Sequence, residues 1–278
     1  MQCRVAPSLG ELEDTPENIW GTRNYVSKTE STVFFGLYGL PDFYQLWRHK
    51  GYKYILWAGS DINHFINGYW LDEKGEMRIS SAELAKWLNH YCENWVENTV
   101  EQAALATVGV HSKICPSFLG DVNKFELSYQ WSERPKLYTS VSGDNFELYG
   151  WNKIPELSEL NPDVEFHLYG NTKEYLYPTH NIFIHGKVPK EQMNEEIKDM
   201  QGALRLTEFD GASEIIVKAM LMGQYAFSLI PYPYVHKISE LNLLKSLKGA
   251  NLEGRKWWME NLNSYPWNIN IQKKQGEG

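Results

Sequence analysis

From Arg134 onward the chain alternates apolar runs with amphipathic ones and leaves little between them. "KLYTSVSGD" reads as a strand, "YGWNKIPELSEL" as a helix, and "VEFHLYGN" and "NIFIHGKV" as strands. "PKEQMNEEIKDM" reads as a helix with Pro189 at its start and Met193, Ile197 and Met200 on one face. "ALRLTEF" is a strand, Ser213 to Gly223 a helix, and "QYAFSLI" a strand. Such alternation leaves few architectures open. Successive strands joined by helices pair in parallel, and the helices must cover the faces of the sheet. A Rossmann-like domain is therefore predicted for this half.

The first half is less regular. After an irregular acidic opening, "TVFFGLYG" reads as a buried strand ending in a Gly-rich turn. "PDFYQLWRHKG" has Pro at a helix start and Gly past its end, and "YKYILWAGSD" is a further apolar run leading into a polar turn. Strand, helix and strand at this spacing predict a βαβ unit. Asn67-Gly68 and Lys74-Gly75 signal a loop or hairpin insertion, and Ser80 with Glu83 a capping box before a helical stretch to about Leu105, in one piece or two. "GVHSKICPSFLGDV" reads as a short strand and turn, and "ELNLLKSLKG" as helical. The expected division is 1–133, 134–254, and a C-terminal segment, 255–278, that packs back on the first domain with Trp257 and Trp258.

The chain has 278 residues, 42% of them hydrophobic and 22% charged, which places it among globular rather than disordered proteins. Its net charge of −8 argues against broad binding to a nucleic-acid backbone, which needs fields of Lys and Arg. Cys3, Cys92 and Cys115 have neither disulfide nor zinc spacing and read as reduced and cytosolic. The N-terminus lacks an apolar signal core, and no apolar run is long enough to span a bilayer.

The turn most suggestive of chemistry is "LRLTEFDGASEIIVKAMLMGQY", Leu204 to Tyr225. Ligands of open α/β sheets bind beyond the carboxyl ends of strands. Gly211 would let backbone approach a ligand, Ser213 would cap the following helix and aim its first amides at a phosphate, and Arg205 would add a cation. Asp210 would accept from sugar hydroxyls. The same spacing also fits a plain connecting turn. Asp61 follows the strand "YILWAGS" and reads either as an acceptor-binding or basic group or as a turn cap. Gly36 and Gly39 would admit a sugar or phosphate, or simply make a tight turn. Tyr169-Gly170 and Lys187-Val188 end strands on the same side and would border a nucleobase, or be turns. His64 and His185 lack metal-ligand spacing and read as structural or surface groups.

The pattern Arg205-x-Thr207-x-x-Asp210-Gly211-x-Ser213 followed by "VKAMLMG" resembles the donor-site signature of retaining GT-B glycosyltransferases of the family 4 type. The resemblance extends over the second half through "FHLYGN" and "IHGKVPKEQMNEEIKDM", and "LWAGSDI" is similar to a segment of the family's first domain. It implies an α/β chain of two Rossmann-like domains with an interdomain cleft. The implied activity is retaining, hexosyltransferase-type transfer from a nucleotide sugar, which serves as substrate, with no metal or other cofactor. It also implies roles for single residues. Asp210 would lie near the donor sugar, the amides of Gly211, Ala212 and Ser213 would face the diphosphate, Lys153 would meet that diphosphate, and Glu214 would meet the donor. The family's second acid, which holds the ribose, is Lys218 here. It is expected as a solvated helix residue, with a phosphate contact as the alternative.

There is no Asp-x-Asp tripeptide, P-loop, GxGxxG or GxSxG in the chain. With the family resemblance, the expected function is that of a glycosyltransferase, cytoplasmic or peripheral to a membrane. Its acceptor would be a glycan, a lipid-linked sugar or a modified DNA base. The alternatives are a degenerate nucleotide- or glycan-binding protein and a GT-B-shaped sugar-nucleotide epimerase.

Overall fold

The computed structural model describes residues 1–12, 14–68, 81–143, 145–170 and 180–270. The turn at Lys74-Gly75 and the Ser80 half of the expected capping box lie outside them. The chain forms two compact units. The first comprises Met1–Asp121, Phe209–Ala212 and the described residues from Asn261 onward; the second comprises Val122–Glu208 and Ser213–Glu260. The units thus part at Asp121 rather than near residue 133, and the turn bearing Asp210 is counted with the first.

The first unit runs β1 (Gln2–Val5), α1 (Thr15–Trp20), β2 (Arg23–Asn24), β3 (Thr32–Phe35), α2 (Leu40–Arg48), β4 (Lys53–Leu56), α3 (Ser60–Ile66), α4 (Ser81–Tyr91), β5 (Cys92–Val96), α5 (Thr99–Thr107) and β6 (Lys113–Ile114). Its sheet has the order β2-β1-β3-β4-β5-β6, with every neighbouring pair parallel. Strand alternation builds a core on each face. Phe34 and Ile55 join Leu46, Leu84 and Leu105 on one side, whereas Val33, Phe35 and Leu56 join Trp20, Tyr265 and Trp267 on the other. Tyr265 and Trp267 stack at 4.4 Å, and Tyr265 donates to the Cys115 carbonyl at 2.8 Å. The C-terminal residues from Asn261 onward therefore complete the first unit. Trp258 does not: it donates to the Pro233 carbonyl at 3.0 Å, within the second unit.

Two first-half expectations are corrected. The irregular opening contains β1, which lies between β2 and β3. The helical stretch to Leu105 is interrupted by β5, which continues directly from α4 and pairs with β4. Asn98 then restarts the helix, its Oδ1 accepting from the Val100 and Glu101 amides at 2.9 and 3.0 Å.

The second unit runs β7 (Lys136–Ser140), α6 (Ile154–Leu160), β8 (Glu165–Tyr169), β9 (Ile182–Gly186), α7 (Lys190–Glu196), β10 (Gly202–Arg205), α8 (Glu214–Leu221), β11 (Tyr225–Ser228), β12 (His236–Lys237) and α9 (Leu252–Asn261). The expected helix in "ELNLLKSLKG" is a 3-10 segment, Ile238–Ser246. The sheet order is β12-β11-β10-β7-β8-β9, all parallel. From β7 the chain builds outward through β8 and β9, then returns to β7's other flank with β10. The carboxyl ends of β7 and β10 thus meet at a topological switch point, where open α/β sheets bind their ligands.

Candidate functional site

At this switch point two loops close on one another. Gly150, at φ +68°, has no room for a side chain: a Cβ would stand 2.5 Å from that of Leu206. The approach sets Tyr149 beside Arg205, whose guanidinium lies 4.4 Å from the ring centroid. Arg205 is buried, at 8% exposure, so its cation is held rather than solvated. Lys153, which begins α6, reaches Glu208 at 3.2 Å. Of the three cations picked from the sequence, Arg205 ends β10 and Lys153, at the start of α6, reaches the loop after β10 through Glu208. Thr207 is buried there, and its hydroxyl has no hydrogen-bond partner among the described residues.

Further along the same sheet, Tyr169 is buried, donates to Glu196 Oε2 at 2.7 Å and stacks on His185 at 4.3 Å. Burial first, and then Glu196, hold its phenol protonated well above the ordinary range. Gly170, at φ +123°, packs against the Val141 carbonyl and donates to that of Gly186 at 2.9 Å. Tyr169 and Gly170 therefore knit the ends of β7, β8 and β9 together. Val188 lies half-buried beyond β9.

The start of α8 departs from expectation. Ser213 occupies the N-cap position but makes no side-chain cap hydrogen bond. Lys218 is not a solvated residue: its side chain is 3% exposed, because α8 is buried from Ile215 to Leu221. A helix apolar all round carries one ammonium, and Glu214 meets it at 2.9 Å while also receiving Lys190 at 2.8 Å. Burial lowers the Lys218 pKa against the pull of Glu214. Burial alone would raise that of Glu214, but Lys218 and Lys190 overcome it and hold the carboxylate below its usual value.

The turn Phe209–Ala212 is built into the first unit, where Phe209 packs on the core. The Ala212 amide, expected to face a diphosphate, donates to Glu97 Oε2 at 2.6 Å. The Gly211 amide meets Asp210 Oδ1 at 3.1 Å. A Cβ on Gly211 would run into Glu97 Oε2, so the glycine admits a protein carboxylate. Asn98 donates its Nδ2 to the Asp210 carbonyl at 2.7 Å and to that of Gly211 at 3.4 Å. Glu97 also takes the Ser117 hydroxyl, and its own amide donates to Glu101 Oε2 at 2.7 Å. Burial raises the Glu97 pKa to about 7 against the Ser117 and Ala212 donors. That of Glu101 rises too, through burial and then the Glu97 charge. The sequence reading missed Glu97, Asn98 and Glu101, although Asn98-x-x-Glu101 is itself a legible helix-start signature.

Asp61 is fully buried and accepts from the Leu37 and Ala58 amides at 2.8 and 2.9 Å. Burial raises its pKa to about 7, opposed by those amides. It therefore shapes the loop after β3 from inside. In that loop Gly36 (φ +82°) is hemmed in by Ala6, Leu9 and Tyr38, whereas Gly39 meets only Pro41 at 3.6 Å. Elsewhere in this unit a groove of about 820 Å³ is lined mainly by Leu40, Phe43, Tyr44, Trp47, Leu84 and Trp87, and lacks the converging polar groups of a chemical site. Among the described residues no cluster of three or more His, Cys, Asp or Glu could hold a metal ion, and no helix is long and apolar enough to cross a membrane.

No protein-family model matches the chain, and no curated protein matches it by sequence. Solved structures do. The lipopolysaccharide outer core galactosyltransferase WaaB, in its apo form, aligns over 99% of this chain and 100% of its own at 11% identity and a TM-score of 0.58. Anabaena HepE, in complex with UDP and glucose, aligns over 100% of both at 10% identity and a TM-score of 0.53. TarM aligns over 90% of this chain at 15% identity and a TM-score of 0.60, and the chain spans 55% of TarM's length. With two parallel six-stranded sheets, each flanked by helices, and these neighbours, the chain has the GT-B fold of two Rossmann-like domains.

Proposed function

We propose that this protein is a glycosyltransferase that moves a sugar from a nucleotide-sugar donor to a hydroxyl acceptor with retention of configuration. The observation that carries the proposal is the switch point of the second sheet, where Arg205, held on Tyr149, ends β10 and Lys153, at the start of α6, reaches Glu208 in the loop after β10. Fixed cations there suit a diphosphate, since a guanidinium forks onto phosphate oxygens and Lys adds a point charge. The donor's diphosphate is assigned to them, with Thr207 at its edge. Glu214, oriented by Lys218 and Lys190, is assigned to the donor's hydroxyls, and Tyr169, Gly170 and Val188 to the base side. Asp210 is assigned to the transferred sugar. Leaving-group charge is stabilised by Arg205 and Lys153, preorganised groups of the kind that contribute a few kcal/mol each in a dry site.

A second reading, nucleotide or glycan binding without turnover, draws on the engagement of the Ala212 amide by Glu97. One experiment separates the two. Thermal shifts with UDP-, GDP- and ADP-sugars identify the donor, and nucleotide release is then followed for wild type and Asp210→Ala, with and without acceptor glycans. The transferase reading expects release by wild type and its loss in the variant. Binding without release, for every acceptor, overturns it.

A further inference from the structure

The joint between β5 and α5 does more than start a helix. Asn98 uses its two amide atoms for different tasks. Oδ1 caps α5, while Nδ2 is directed to the carbonyls of Asp210 and Gly211. Beside it, Glu97 is buried with one oxygen on the Ala212 amide and the other on the Ser117 hydroxyl. A four-residue turn so held is pinned at three consecutive residues, on two carbonyls and one amide. A buried carboxylate among other acids is costly unless donors satisfy it. Glu101 and Asp210 both push against Glu97. A plain connecting turn needs no such expense of buried charge.

We propose that Glu97 and Asn98 are positioning residues for the reaction: together they latch the Phe209–Ala212 turn in the shape that presents Asp210. The proposal rests on the transferase reading above, and it says that the turn's backbone is set by side chains from the β5–α5 joint and not by the bound donor. Neither residue needs to touch substrate. A fixed backbone holds the Asp210 side chain near one orientation, and misplacement by about 1 Å costs on the order of 100-fold in rate.

The test separates the latch from the helix cap. Asn98→Asp keeps the cap, because Asp caps helices as well as Asn does, but removes the donor to the Asp210 carbonyl. Glu97→Gln keeps an acceptor for Ala212 and a partner for Ser117, whereas Glu97→Ala keeps neither. Expected for Asn98→Asp and Glu97→Ala is a fall in kcat of roughly 10- to 100-fold, with the donor KM within about threefold, the pattern of a lost transition-state arrangement. Hydrogen exchange at the Ala212 amide should quicken in both, and Glu97→Gln should restore both readouts. Asn98→Asp with wild-type kcat and exchange would overturn the proposal. So would Glu97→Gln as inactive as Glu97→Ala with the turn still protected, because Glu97 would then act chemically. If wild type turns over no nucleotide sugar, the transferase reading fails separately. The exchange arm then still decides the latch.

Discussion

The two units have the same kind of sheet and use opposite charge at it. In the second, the cations lie at a strand end and on the helices: Arg205 on Tyr149, Lys153 at Glu208, and Lys190 with the buried Lys218 on Glu214. In the first, carboxylates sink beneath the loops: Asp61 under the loop after β3, and Glu97 and Glu101 under the Asp210 turn. The cations of the second unit are held by an aromatic ring and by carboxylates that are partly or largely exposed. The carboxylates of the first are buried and take backbone amides, those of Leu37, Ala58 and Ala212. One parallel fold thus places its charge either toward the surface or beneath a loop, and what decides is which side chains lie in the loops beyond the strands.

The contrast can be broken hardest at Gly211. Gly211→Ala places a methyl group against Glu97 Oε2, and should cost up to about 3 kcal/mol in denaturant unfolding and abolish turnover. Gly39→Ala, in ordinary contact with Pro41 only, should stay within about 0.5 kcal/mol. Next in size is the pH response. The folded-state pKa of Glu97 is raised from 4.5 to about 7, so the folded protein holds a proton that the unfolded chain releases earlier. Its contribution is fully present below pH 4.5 and is lost as pH rises through about 7. In urea titrations Glu97 should account for a fall of roughly 2–3 kcal/mol across that window, and Glu97→Gln should make the slope shallower, leaving the part due to Asp61 and Glu101. A stability that rises over the same window would contradict the assignment.

In the second unit the effects should be smaller. Glu214→Ala leaves the Lys218 ammonium buried without its carboxylate and should cost about 1–2 kcal/mol, less than a fully buried pair because Glu214 is half exposed. Lys218→Met should cost less, its stem already lying in an apolar helix. Equal costs would mean that the pair is not what orders Glu214. Tyr149→Ala should cost about 0.5–1 kcal/mol through the lost ring under Arg205, read as weaker nucleotide binding in calorimetry.

Much of the second unit was legible because its strands and helices alternate with clear apolar periods. β5 was not. "CENWV" carries a Glu and an Asn and abuts α4 without a turn residue, so nothing in its composition marks a boundary; its pairing with β4 makes it a strand. β1 is shorter still, and its polar Gln2 is buried by tertiary partners, the Ser27 carbonyl and the Thr32 hydroxyl among them. At the candidate site Arg205 and Asp210 could be named from their place at and just beyond a strand end, and Lys153 from the family resemblance. Their partners could not. Tyr149 meets Arg205 because two loops close at Gly150, and Glu97 meets Ala212 through a contact between residues more than a hundred apart, which local spacing does not encode. Lys218 misled because charge predicts exposure, whereas here the buried helix decides.

The way the chain divides has a consequence for its birth. Residues that complete the first unit are made late: Phe209–Ala212 after the Val122–Glu208 part of the second unit, and Tyr265 and Trp267 after all of it. Domains generally fold as they emerge, N-terminal first, at about 5–20 residues per second. Here the half synthesised first must wait some seconds, on the order of ten, with Trp20, Phe35 and Leu56 lacking their last aromatic partners. The second unit can settle before it, so the order of folding on the ribosome should run against the order of synthesis.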